Sequence, residues 1–160
     1  MSTPAEVGAG LKMKELKTFS EILVGGKTFT ALASQKLSLK ELGNYSMISL
    51  SEESMTRNFY RQLFLNHDVV LKPDTEAATT DQMLTLVKSE LGLAFVPEPM
   101  AREPLARREI VEIHLQEQIP VRSIGLVYDN HRPLNTAARK FQQLLIQSAE
   151  EDAKTGKKEI

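Results

Sequence analysis

Residues 79–97 read TTDQMLTLVKSELGLAFVP, and this stretch decides the fold class. Thr79-x-x-Gln82 is a capping box, a hydroxyl and an amide placed to satisfy the first N–H groups of a helix. Met83, Leu84, Leu86 and Val87 then fall on one helical face. Gly92 supplies a turn. Leu93–Val96 is a short apolar run, stopped by Pro97 and Pro99. A run with no polar alternation suits a strand buried on both faces. A helix feeding such a strand implies a parallel pair and an α/β fold.

Upstream, Ser51-Glu52-Glu53-Ser54 opens a second helix with Ser51 as N-cap and the two glutamates in its first turn, where the helix dipole favours anions. Met55, Phe59 and Leu63 recur every four residues, widened by Tyr60 and Phe64, and this stripe reads as core. Met47–Leu50 precedes it as a buried strand. Phe19–Val24 and Phe29–Ala33 read as strands flanking Gly25-Gly26, and Ser38–Leu42 as one helical turn. Val69–Leu71 reads as a strand broken by Pro73, and 76–78 as the end of another.

Downstream, Arg102–Arg108 is a short basic helix or loop. Val111, Ile113 and Leu115 alternate with Glu112 and His114, the period of a strand with one wet face. Ile124–Tyr128 is a further strand. After the turn at Asp129–Pro133, Asn135 or Thr136 caps a last helix. Residues 1–17 read as a flexible leader and 148–160 as a charged disordered tail.

Composition narrows the function classes. The 160 residues carry 20 basic and 21 acidic side chains, net −1, so no overall positive field draws nucleic acid. Cysteine is absent, which removes disulfides, thiolate catalysis and cysteine-ligated zinc. No apolar run approaches the roughly 20 residues of a membrane span. The opening MSTPAEVGAG has neither the basic nor the apolar segment of a secretory signal, so a cytoplasmic chain is expected. His67, His114 and His131 are scattered without metal-ligand spacing, and no phosphate-binding glycine loop or nucleophile elbow occurs. No cofactor and no metal are expected.

Four segments, in order, resemble one family. Leu16–Ala33 resembles lead-in and crossover strands. Leu37-Ser38-Leu39-Lys40-Glu41-Leu42 with Tyr45-Ser46-Met47-Ile48 resembles a short helix and strand, with Ser46 in place of a proline. Val87–Pro97 resembles a V-x-A-G-L-G-I-A-L-L-P element. Gly125–Tyr128, Arg132-Pro133-Leu134 and Ala137–Phe141 resemble a closing strand and helix. Together they resemble the effector-binding domain of LysR-type transcriptional regulators, a bacterial family. Ser89 and Glu90 depart from that pattern, standing where the family carries alanine and its first glycine. A left-handed backbone at Glu90 would be strained.

The resemblance implies a type 2 periplasmic-binding-protein-like fold over residues 18–147. One lobe is complete, at about 34–120, and the crossover strands and C-terminal helix belong to the other. It implies an effector-sensing and oligomerising part that is not an enzyme and that binds a small metabolite between two lobes. DNA would be reached only through a helix-turn-helix domain that this chain lacks, and the chain reads as truncated at its N-terminal side. Residues Ser51, Ser54, Thr79, Thr80 and Pro97 are the expected effector contacts, since helix starts offer unsatisfied N–H groups to oxygen-rich ligands. Glu52 and Glu53 beside one start either point to solvent or select a neutral or cationic effector. The plainer reading of each hydroxyl is a simple cap. Two other readings compete: a non-functional or interfering fragment, and a small α/β enzyme, for which no titratable cluster speaks. Apolar surface left bare by a missing half-lobe would make the chain poorly stable or self-associating.

Overall fold

The structure, a computed structural model, describes residues 10–155. These divide into two compact units, residues 20–120 and residues 10–19 with 121–155.

The 20–120 unit is built on a six-stranded mixed sheet. Its strands are β2 (Glu21–Gly25), β3 (Lys36–Leu37), β4 (Met47–Leu50), β5 (Thr75–Ala77), β6 (Leu93–Pro97) and β7 (Val111–Leu115), in the spatial order β3-β7-β2-β6-β4-β5. The label β1 is kept for Leu11–Phe19 of the other unit. Strand β4 runs parallel to both β5 and β6, while β2 is antiparallel to β6 and β7. Helices α1 (Met55–Leu65), α2 (Thr80–Lys88) and α3 (Glu98–Ala106) join the parallel strands.

Both faces of this sheet are covered, and for that reason β6 reads LAFV without a polar break. Leu23, Met47, Leu93, Phe95 and Ile113 point to one face and pack with Tyr60, Leu63 and Phe64 of α1. Val24, Ile48, Ala94 and Val96, their sequence neighbours, point to the other and pack with Met83, Leu84 and Val87 of α2 and Ala101 of α3. The Tyr60 ring stacks on Phe95 at 4.6 Å, and Phe64 meets Phe95 edge-on at 6.1 Å. The register of β6 against β4 is set at Gly92. Its φ is +156°, and a Cβ there would lie 2.4 Å from the Ser46 carbonyl oxygen. The next N–H, from Leu93, donates to that oxygen at 2.8 Å. Only glycine lets the two backbones come so close.

In the other unit β1 pairs antiparallel with β8 (Arg122–Asp129), and α4 (Thr136–Thr155) packs on β1. Asn135 caps α4, its Oδ1 accepting from the Ala138 N–H at 2.8 Å. None of the unit's residues whose exposure is described is buried.

Several expectations are corrected. Residues 11–17 are not a leader but lie in β1, where Leu11 and Met13 alternate with Lys12 and Lys14. The pairing partner sits at the far end of the chain, so the lysines masked a strand. Residues 1–9 lie outside the described residues. The C-terminal segment is helical to Thr155, because its alanines, glutamates and lysine continue a helix well. Residues 156–160 lie outside the described residues. Phe29–Ala33 is no strand but part of a 3₁₀ helix, Lys27–Ser34. Val69–Leu71 forms no strand and runs as irregular chain after Asp68, whose φ is +57°. Helix α3 begins at Glu98, ahead of the expected start. Pro99 fits a first turn, where its missing N–H is not needed. The α1 stripe is centred on Tyr60, Leu63 and Phe64, and Met55 is 71% exposed at the first helical position.

Candidate functional site

Because β5, β4 and β6 are parallel and adjacent, their carboxyl ends lie side by side. Leu50 is level with Ala77, and Ile48 with Ala94. In an open α/β sheet, ligands bind beyond such ends. At this edge β4 turns into α1, β5 into α2, and β6 into α3. The five residues expected from sequence therefore stand along one edge of one sheet.

Ser54, not Ser51, caps α1, its Oγ accepting from the Thr56 N–H at 3.2 Å. Ser51 is exposed and closes the preceding turn, its carbonyl accepting from the Ser54 N–H at 2.9 Å. Glu52 and Glu53 consequently lie before the helix, exposed, and not in its first turn. Thr79 caps α2 as expected, its Oγ1 accepting from the Gln82 N–H at 3.3 Å. Gln82 reaches back to the Ala78 N–H at 3.0 Å, one residue earlier than a standard box. Thr80, half-buried, is the first residue of α2. Pro97 ends β6, half-buried, opposite Glu21 of β2. In both caps the hydroxyl accepts through a lone pair, and an accepted bond does not use its proton.

Two charged groups at this edge were not singled out from sequence. Arg57, in the first turn of α1, has a side chain only 13% exposed. Its Nη1 donates to the Leu50 carbonyl at 2.9 Å and meets Glu76 Oε1 at 3.4 Å. It ties the end of β4 to α1 and to β5. Nothing local marks it, since an arginine in an amphipathic helix ordinarily reads as solvated. Glu21 is 4% exposed, and among the described residues it is the one charged side chain that is buried, Ser49 being the other buried polar residue. Its signal was present, a carboxylate opening the apolar run EILV.

Concavities among the described residues lie at both ends of this sheet. One of about 250 Å³ is lined by Glu21, Lys36, His114 and Glu117 among others. Another of about 350 Å³ lies along β5 and α2 at Glu76, Gln82 and Thr85. A third, about 390 Å³, sits at the opposite, amino end of β4 around Met47, Phe64 and Asp74. Among the described residues no cluster of three or more metal-ligating side chains forms. None of their helices is long and apolar enough to cross a membrane.

Glu90 occupies the strained position expected of it, with φ of +65°. Its carboxylate accepts from the Lys27 N–H at 2.8 Å, the Thr28 N–H at 3.2 Å and the Thr28 hydroxyl at 2.5 Å. The Thr28 hydroxyl, followed by the backbone donors and the Lys27 charge, holds its pKa below the usual carboxylate range against some desolvation. It thus caps the Lys27–Ser34 helix from the end of α2, and that long-range cap explains why Phe29–Ala33 is helical.

Comparison with known families gives one match, LysR substrate binding domain, over residues 4–150. The chain belongs to this LysR substrate-binding domain family. Its fold is periplasmic-binding-protein-like, type 2. Solved structures agree at the level of fold. The effector binding domain of QuiR in complex with shikimate superposes with a TM-score of 0.77 at 19% identity, covering 93% of this chain and 70% of that one. The regulatory domain of CcmR from Synechocystis PCC6803 in complex with 2-PG gives 0.78 at 15% identity, covering 92% and 70%. OxyR of Corynebacterium glutamicum, a C206 mutant, gives 0.67 at 24% identity, covering 97% of this chain and 48% of that one. The first is an effector binding domain and the second a regulatory domain. No curated protein sequence matches the chain.

Proposed function

We propose that this chain is the effector-sensing and oligomerising part of a LysR-type transcriptional regulator, working in the cytoplasm, and that its effector sits at the carboxyl edge of β4, β5 and β6. The single observation that carries this is the lateral alignment of three strand ends, each leading into a helix, in a chain of this family. Ser51, Ser54, Thr79, Thr80 and Pro97 are the proposed contacts. The N–H groups opening α1 and α2 and the hydroxyls of Ser54 and Thr79 suit an oxygen-rich small molecule. Two related domains hold small molecules, shikimate in QuiR and 2-PG in CcmR, which supports the same class here. With Glu52 and Glu53 turned to solvent and Arg57 at the strand end, a carboxylate effector is accommodated as well as a neutral one.

The test is a thermal-shift screen of the 160-residue chain against small hydroxy acids, other carboxylates and amines, followed by calorimetry on any hit. A ligand selective for the folded state raises the melting temperature by mass action. Thr79→Val is expected to weaken the hit at least about tenfold, a loss of about 1.4 kcal/mol. A hit indifferent to substitution at Ser54, Thr79 and Thr80 would remove the effector from this edge.

A further inference from the structure

We propose that the cavity at the amino end of β4 is a second small-molecule site, suited to a zwitterion: a free α-amino acid with an apolar side chain. It lies at the opposite end of the strand from the effector edge, and the proposal does not depend on the effector reading. The cavity measures about 390 Å³, in the range of small-molecule pockets. Buried Leu42, Met47 and Phe64 and half-buried Tyr45, Val69 and Leu71 give it an apolar lining. The irregular chain 69–72 forms part of that lining and spends few of its main-chain donors. Val69 donates to the Phe64 carbonyl at 3.0 Å. Among the described residues the N–H groups of Val70, Leu71 and Lys72 meet no acceptor, and neither does that of Ser46, which also lines the cavity.

Two opposite charges stand at the same mouth. Lys72 and Asp74 both line the cavity, and both are exposed. Pro73 between them favours extended backbone at Lys72, and side chains two apart on an extended chain share a side. A reciprocal pair holds Asp74 in place. Its Oδ2 accepts from the Met47 N–H at 2.9 Å, and its own N–H donates to the Met47 carbonyl at 2.9 Å. A carboxylate with one such bond keeps acceptor capacity to spare. Lys72 and Asp74 do not pair with each other, and among the described residues neither has another ionic partner. An anion would answer Lys72 and be repelled by Asp74, a cation the reverse, and a neutral molecule would answer neither. A zwitterion answers both. Its ammonium donates to Asp74, and its carboxylate takes Lys72 and the unspent N–H groups, in bonds strengthened by charge. In an α-amino acid both charges leave one carbon, so the side chain is directed away from them, to the apolar lining. A residue inside a peptide carries neither charge, so the free amino acid is the class that fits.

The experiment is a heteronuclear NMR titration of the full 160-residue chain with L-leucine as probe, the spectrum itself showing that each variant stays folded. Saturable shifts are expected at Ser46, Leu71, Lys72 and Asp74, with a Kd of about 1 mM or tighter. N-acetyl-L-leucine lacks the ammonium, L-leucinamide the carboxylate and glycine the apolar group, and each should bind at least about tenfold more weakly. Lys72→Gln should weaken L-leucine at least about tenfold and leave L-leucinamide unchanged. Asp74→Asn, whose amide oxygen still accepts the Met47 N–H, should weaken L-leucine and leave N-acetyl-L-leucine unchanged. Should Asp74→Asn unfold, the exposed Lys72 carries the test alone. No saturable shift up to about 50 mM overturns the site, since that is far weaker than the affinity expected. Blocked analogues that bind as well as L-leucine, affinity indifferent to Lys72→Gln, or shifts confined to Ser54 and Thr79 overturn it equally. The effector reading stands apart from each of these outcomes.

Discussion

Replacing Gly92 by alanine tests whether the close approach of β4 and β6 fixes the sheet. Two costs add. The first is conformational: at φ of +156° an L side chain is strained, by about 1–3 kcal/mol. The second is steric. The new Cβ would lie 2.4 Å from the Ser46 carbonyl oxygen, a backbone atom that moves only if β4 moves. Backing the strands apart stretches the Leu93 N–H bond to the same oxygen, now 2.8 Å, and its loss costs about 1 kcal/mol. Together these come to about 2–4 kcal/mol, a large part of the 5–15 kcal/mol typical of a domain. Gly43 is the control. A Cβ there meets nothing within 4 Å and its φ is not positive, so Gly43→Ala should be neutral or stabilise by up to about 1 kcal/mol. Urea unfolding of the three proteins at one temperature, compared at equal m-values, measures both. If Gly92→Ala costs less than about 1 kcal/mol, β6 tolerates a shift against β4. The alignment of strand ends at the candidate site would then lose its physical basis.

Two further outcomes follow from the polar contacts. Arg57→Ala should cost about 2 kcal/mol, the worth of a charged hydrogen bond to the Leu50 carbonyl, with little from the half-exposed Glu76. Arg57→Met keeps the packing of the stem and separates that contribution in the same urea assay. A cost below about 0.5 kcal/mol would show that Arg57 does not hold the β4 end. Glu90→Gln keeps the backbone strain and removes the charge. Because the folded pKa of Glu90 is depressed, its stabilisation is present above the ordinary carboxylate range and is lost as pH falls through the folded value. The melting-temperature gap between wild type and Gln should therefore be steady at neutral pH and close in acid. A gap unchanged in acid would mean that the charge is not what caps the Lys27–Ser34 helix.

Where a signal is local, the sequence was sufficient. Met47–Leu50 forms β4 with the expected ends, and Thr79 caps α2, because a buried strand and a cap are written within a few residues of themselves. The sequence misled where the decisive partner is distant. Phe29–Ala33 has strand-like residues, but the carboxylate that makes it helical arrives from Glu90. Strand β1 looks like a basic leader until β8 supplies the other half of its ladder. Within SEES the two serines are equal candidates for the cap, and only the turn closed by the Ser51 carbonyl gives the role to Ser54. The five candidate contacts were legible as a group for a simple reason: helix starts that follow parallel strands must share an edge. Arg57 was not, since its value lies in the Leu50 carbonyl it reaches and not in its neighbours in sequence.

The two units meet the demands of folding unequally. Residues 20–120 bury apolar side chains on both faces of a six-stranded sheet, and at about 25 cal/mol per Å² such burial offsets the entropy of ordering the chain. Residues 10–19 with 121–155 have a two-stranded ribbon and one helix, with Leu11, Val121, Ile124, Val127, Phe141 and Leu144 exposed. Two strands are marginal in water without a packed face, and a single helix covering one side supplies little. The same residues that make this unit weak alone make it adhesive, since every apolar group it leaves in water is available to another surface. Stability and association are therefore one question for this unit.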